Sequence, residues 1–292
     1  MVALFAPGAF LLLPYMHADK LSSLAQLMDR AHSDTLSFPT TVNTALRLQQ
    51  ALGDPDCHAA DIHRLLLSEP ALSARAVAMA NSVMYAHGHV QAVTSVRAAA
   101  DRLGQRNLLS LATAAVIYQL KSGIRDAALR ARAAQLWSHS VHVAALAHEI
   151  AGTVTHTDAD TAMFAGIVHE VAGLFVLAEA DRTPGLYQQV EGQLPAALEI
   201  IGRALMRQLG VPTQVADAIN ALPGASVLMP PEGLRDTLLL AKALAPVASP
   251  LPQLPSTTSE RLRHYLDSDP TLYEMRNNPS AEAKALIAVL LS

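Results

Sequence analysis

Residues 163–174 read MFAGIVHEVAGL, an almost wholly apolar segment that carries an adjacent His169-Glu170 pair. Burying one ionisable group costs several kcal/mol unless it is paired or coordinated, and here there are two. The segment is therefore either a metal or acid/base site, or the remnant of such a site rebuilt as ordinary core. The rest of the chain is read outward from that choice.

The chain has 292 residues, enough for one large or two modest hydrophobic cores. Hydrophobic residues make up 51%, aromatics only 4% and charged residues 16%, with Ala and Leu dominant and Val and Ile scattered singly. Ala and Leu are strong helix formers, so the composition points to an all-α fold. The net charge is -4 and no basic stripe tracks along any helix, which argues against nucleic acid as a partner. Cys57 is the only cysteine, so no intrachain disulfide is possible, as suits a reducing, cytoplasmic setting.

The opening MVALFAPGAFLLLPYM is apolar but interrupted by Pro7, Gly8 and Pro14, and no Lys or Arg precedes Lys20. It lacks the basic start of a signal peptide and the roughly 20 uninterrupted apolar residues of a membrane span. It is expected to be an arm packed on its own domain or on a partner. Beyond it, residues 19–31 place Leu21, Leu24, Leu27 and Met28 on one helical face. SFPTTVNTALRLQQALG (37–53) has Pro39 suited to a first turn and ends at Gly53. In SEPALSARAVAMANSVMY (68–85), Ser68 is a candidate cap and Leu72, Ala76, Val77 and Ala80 form the buried face. Asn81 is expected to bond backbone groups of a neighbouring helix end. A short helix capped at Thr94 or Ser95 should end at Gly104, with a longer, central one following from Gln105.

Several pieces of this region carry a specific likeness: Glu69-Pro70-Ala71-Leu72, Ala80-Asn81-Ser82, Thr94-Ser95-Val96 and Arg102-Leu103-Gly104. FPTTVNTALRL (38–48), LWSHSVHVAALAHEIA (136–151) and FAGIVHEVAGL (164–174) add to it. Taken in order, they resemble the HDOD domain, the degenerate HD-type helical domain of bacterial signalling proteins. The likeness spans roughly residues 31–224.

The resemblance implies descent from a metal phosphohydrolase, whose site needs a His, then a His-Asp doublet, then a distant Asp. Divalent metals held by imidazole and carboxylate lower the pKa of bound water and polarise phosphoryl oxygens. By position, His139 matches the first His and His169 the doublet His. Glu170 stands where the Asp belongs, one methylene longer. Leu198 and Ala221-Leu222 fall where a hydrolase keeps further histidines, and Lys242 falls where the last Asp belongs. Two histidines and one displaced carboxylate therefore survive from a larger set, and fewer than three protein ligands rarely hold such an ion. His142 or Glu149 could supply a rescue ligand. His148-Glu149 lacks the second His of a zincin helix, and His87-Gly88-His89 reads as a solvated turn.

In the last third, AALEIIGRALMRQLG (196–210) is amphipathic, and Gly202 would allow close approach of a neighbouring helix. PTQVADAINAL, PPEGLRDTLLLAKALAPVA, SERLRHYLDSD and SAEAKALIAVLLS are further helices. The expected organisation is an all-α, multi-helical HD-like bundle of about fourteen helices in two lobes. Residues 1–30 form an arm and helix, 31–224 the HDOD domain, and 225–292 a C-terminal helical extension with a Pro/Ser linker near 249–258. The expected function is that of a stand-alone, non-enzymatic signalling module that binds a protein partner or a small ligand. No cofactor, bound metal or membrane span is expected, and His139, His169 and Glu170 line a remnant pocket. A metal-dependent phosphohydrolase acting on a nucleotide or cyclic dinucleotide is the alternative.

Overall fold

The computed structural model describes residues 15–38, 43–86, 91–190, 193–251 and 260–292. Most of the apolar arm, the His87-Gly88-His89 turn, Pro39 and most of the Pro/Ser linker lie outside the described residues. Within them the chain is all-helical, with no strand. The first lobe contains α2 (Asn43–Gly53), α3 (Ala59–Leu67), α4 (Pro70–Ala80), α5 (Val83–Ala86) and the start of α6 (Val96–Ser122). The second contains α7 (Ala127–Thr153), α8 (Ala159–Val168), α9 (Val171–Arg182), α10 (Leu186–Val190), α11 (Leu194–Gln208), α12 (Thr213–Asn220) and α13 (Gly233–Leu244). Around these lie α1 (Tyr15–His32), α14 (Glu260–Ser268), α15 (Pro270–Asn277) and α16 (Ala281–Leu291). The short α5 and α10, and α15, have no counterpart in the sequence reading.

Helix α6 joins the lobes, packing on α2 and α4 on one side and on α8 and α9 on the other. It is helical on both sides of Gly104, whose φ of +71° breaks the regular path where the sequence places a stop. Ser95 caps its start by accepting from the Ala98 amide at 3.2 Å. The recurring motif pieces fix the approach to this helix. Asn81 donates to the Val93 carbonyl at 2.8 Å and accepts from the Val93 amide at 2.7 Å. Arg102 donates to Ala80 O at 3.2 Å and Gln91 O at 3.3 Å, satisfying a carbonyl left open at the end of α4. Ser68 does not cap α4: it closes α3, donating to Leu65 O, and Glu69 occupies the cap position.

The outer helices close the fold. Helix α1 packs on α10 and α11, and Arg30 reaches the buried Glu179 of α9. Helix α16 packs on α7 of the second lobe and on α4 and α5 of the first. Helix α13 falls within the expected C-terminal extension, yet it packs on α7 and α8 inside the second lobe.

The stretch Ala159–Arg182 is long and apolar enough by composition to cross a membrane, but 83% of its most apolar window is buried inside the fold. It is also not one helix. His169 ends α8 and Glu170, with φ -118° and ψ 23°, opens α9. In a continuous helix adjacent side chains diverge by about 100°. The turn removes that constraint and lets both side chains face one point.

Helix α8 packs tightly on α7 at Gly166. A methyl group on Gly166 would lie 2.5 Å from the Cα of Ala144 and 2.7 Å from its N, both backbone atoms that cannot swing away. Gly202 does not have the expected role, since a methyl there would meet Ala172 Cβ at 3.6 Å, an ordinary contact. Gly166→Ala is therefore expected to cost about 1–3 kcal/mol by overpacking. Gly202→Ala should be neutral or stabilising by up to about 1 kcal/mol through helix propensity. Urea denaturation of the two variants checks this contrast.

Candidate functional site

Three segments build the site. Asp126 anchors α7 by accepting from the Ala128 and Leu129 amides, each at 2.9 Å, and His139 lies three turns along it. The α8–α9 turn contributes His169 and Glu170. Helix α13 contributes Lys242, and its register is fixed at its start. The fully buried Asp236 accepts from the amides of Leu228 and Glu232, both at 3.1 Å, and from Arg235. Thr237 and Thr155 hydroxyls meet at 2.6 Å, tying α13 to the segment after α7.

Both imidazoles are held by backbone carbonyls. His139 Nδ1 lies 2.6 Å from Val247 O, and His169 Nδ1 lies 2.8 Å from Gly166 O. A carbonyl only accepts, so Nδ1 carries the proton in each ring and the Nε2 lone pairs point inward. The rings are 5.4 Å apart and tilted by 56°. Glu170 Oε1 lies 3.8 Å from His139 Nε2 and 3.7 Å from His169 Nε2, too far for hydrogen bonds. Both Nε2 atoms are buried with no hydrogen-bond partner among the described residues.

Among the described residues Glu170 is bonded instead to Lys242 and Ser249. Lys242 Nζ donates to Oε1 at 2.7 Å and Ser249 Oγ donates to Oε2 at 2.8 Å. Side-chain exposure is 8% for Glu170 and 20% for Lys242. Burial by itself raises the Glu170 carboxyl, but the Lys242 ammonium and the two imidazoles outweigh it and hold the group down at about 2. Burial, reinforced by Lys242, presses His169 down to about 3. Burial also lowers His139, against the opposing pull of Glu170. Among the described residues the site thus holds one carboxylate, one ammonium and two neutral imidazoles.

These groups form the polar end of a cavity of about 560 Å³. Leu198 and Leu222, at positions where the resemblance implies further histidines, line its apolar wall with Met206 and Ile219. The pocket residues His139, His169 and Glu170 are brought together, with one ligand atom from each lying within 4.8 Å of the others. His142 and Glu149 do not join them. His142 Nδ1 bonds Ser138 O at 2.7 Å in its own helix, and Glu149 faces Ser280 at the start of α16. Sequence reasoning missed Ser249 and the Val247 carbonyl. Both lie at the edge of a Pro-rich stretch that reads as linker, and no periodicity marks them. The segment is nonetheless fastened here, with Gln135 donating to Ala248 O at 3.0 Å and Leu251 buried against Gly173.

The sequence of residues 38–221 matches the model of the HDOD domain. No curated protein has a sequence matching this chain. Among solved structures, a protein of Shewanella amazonensis SB2B named as a candidate metal-dependent phosphohydrolase aligns with TM-score 0.66 and 20% identity, covering 94% of this chain and 99% of that one. An HDOD domain protein of unknown function from Geobacter sulfurreducens aligns with TM-score 0.52 and 20% identity, covering 92% and 93%. A candidate signal transduction protein from Marinobacter aquaeolei VT8 gives TM-score 0.53 at 20% identity, covering 94% of this chain and 65% of that one. At this identity the shared property is the fold.

The lowered histidines set the direction of the acid response. An unfolded His titrates near 6.5 and folded His169 near 3, so the unfolded state holds more protons across that window and stability is lost as the pH is lowered through it. Glu170 acts in the same direction lower down. Its contribution is complete above about 4.5 and is lost as pH falls towards about 2. The urea midpoint is therefore expected to drop steadily from about pH 6.5 to about pH 4. His169→Gln should remove about one proton of uptake on unfolding over that range. An unchanged uptake in the variant would show that His169 is already protonated in the folded chain.

Proposed function

This chain belongs to the HDOD family, and we propose that it works as a non-enzymatic regulatory module that senses a small ligand in the remnant cavity and passes the result to a signalling protein partner. The observation that carries this reading is the place of Lys242. Its ammonium sits 2.7 Å from Glu170 Oε1, the same oxygen that faces both free imidazole nitrogens. A divalent ion bound to those three atoms would sit within about 2.2 Å of that oxygen. At about 4 Å from the ammonium and an effective dielectric of about 20, the two cations would repel by about 8 kcal/mol. The donor set does not fit a catalytic metal while Lys242 holds this position. The apolar Leu198 and Leu222 offer no replacement ligand.

The cavity supports ligand binding over a purely structural role, because the described side chains leave it open. Signalling is supported by family membership and by a fold neighbour named as a candidate signal transduction protein. The phosphohydrolase reading has one observation in its favour: two inward lone pairs and a carboxylate oxygen within 4.8 Å of one another.

Metal analysis and a hydrolysis assay separate the two. The purified chain is expected to carry no stoichiometric Mn²⁺ or Mg²⁺, and to hydrolyse neither p-nitrophenyl phosphate nor a cyclic dinucleotide with either ion present. Lys242→Ala removes the competing cation and should bind Mn²⁺ at least about ten-fold more tightly than the parent, as expected for relief of more than about 1.4 kcal/mol of repulsion. Turnover by the parent that disappears in His169→Ala would replace the regulatory reading with the catalytic one.

A further inference from the structure

We infer that the cavity selects a neutral small molecule with hydrogen-bond donors at one end and an apolar body, and discriminates against phosphate esters. The inference rests on the ligand-binding reading above and names the ligand class. The side chains of His139 and His169 are nine-tenths or more buried, and their unpartnered Nε2 atoms converge with Glu170 Oε1 at the polar end of the cavity. Both atoms are acceptors, because each ring spends its proton on a backbone carbonyl at Nδ1. An unpaired buried acceptor is costly, so a ligand that donates to both recovers what the empty site loses. Adjacent hydroxyl or N–H groups meet that need.

A phosphate ester offers the wrong groups. Its oxygens accept, and its charge of about -1.5 to -2 would face two lone pairs and the Glu170 carboxylate. Among the described residues Lys242 is the one cationic side chain lining the cavity, and its charge is already matched by Glu170. The other charged lining group, Glu199, is acidic and pairs outward with Arg203 at 2.6 Å. Among the described residues the starts of α9 and α11 draw an anion inward, but Glu170 occupies the first helix end and Glu199 lies in the second turn of α11, so a carboxylate opposes each. The opposite wall, with Leu198, Met206, Ile219 and Leu222, suits a hydrocarbon body.

Calorimetric titration of the full chain with 1,2-octanediol and with octyl phosphate tests this with matched tails. The diol is expected to bind at least ten-fold more tightly. His139→Leu should weaken diol binding at least ten-fold. Leu198→Trp, which fills the apolar wall and leaves the polar end intact, should abolish it. Octyl phosphate binding as tightly as the diol would overturn the donor preference and leave the ligand-binding reading standing. Diol binding that survives Leu198→Trp would place it outside the cavity and overturn the inference. If neither probe binds, both the inference and the ligand-binding reading fall.

Discussion

The pair between Glu170 and Lys242 is the interaction on which the second lobe depends. A carboxylate as enclosed as Glu170, left alone in an apolar surround, would cost far more than one domain's net stability tolerates. It is retained because α13 brings an ammonium to 2.7 Å and the following segment brings a hydroxyl to 2.8 Å. Those partners lie 72 and 79 residues further along the chain. The turn at His169-Glu170 is therefore satisfied only when α13 has docked on α7 and α8. The anchors at Asp236 and Thr237 fix the register in which Lys242 arrives.

The same geometry explains why a cavity persists in an otherwise close-packed helical fold. Small residues bring α8 onto α7 at Gly166 and Ala144, and that contact holds His139 and His169 with their rings 5.4 Å apart. The carbonyls of Val247 and Gly166 then fix both rings in one tautomer. On the far side, Leu198 of α11 and Leu222 just after α12 line the apolar wall. The cavity walls come from α7, the α8–α9 turn, α11, α12 and α13. Under the proposed reading a ligand there would bias how these elements pack, which is the physical requirement for readout elsewhere.

Much of this was legible in the sequence. The all-α class follows from Ala and Leu abundance. The break at Gly104, the cap at Ser95 and the bridging role of Asn81 follow from local chemistry that needs no tertiary information. His139, His169 and Glu170 stand out because polar groups inside apolar helices demand a reason. The missing parts have no local signature. Ser249 and the Val247 carbonyl are ordinary groups whose role arises from a contact more than a hundred residues away in the case of His139 and Val247. A glycine in an amphipathic helix, such as Gly202, suggests close approach of a neighbour, but only the packing shows that it is Gly166 that faces a backbone. Ser68 could cap either of two helices that meet there, and its hydroxyl goes to the end of α3.

The charge balance of the site gives the proposed reading its internal consistency. The metal centre implied by the HD-type resemblance sums two carboxylates and a divalent cation to zero. Here Glu170 and Lys242 also sum to zero, with the imidazoles neutral in both arrangements. Replacing only the distant Asp by Lys would leave an ammonium facing a metal. Losing only the metal would leave carboxylates facing each other and two lone pairs. The combination found in this chain avoids both penalties. The longer glutamate suits it, because its extra methylene carries Oε1 to the ammonium rather than to ligand distance of both rings. In the proposed reading an internal cation stands where a metal ion would, so Glu170 and Lys242 balance their charges without a Lewis acid, and the two histidine Nε2 atoms remain as buried acceptors.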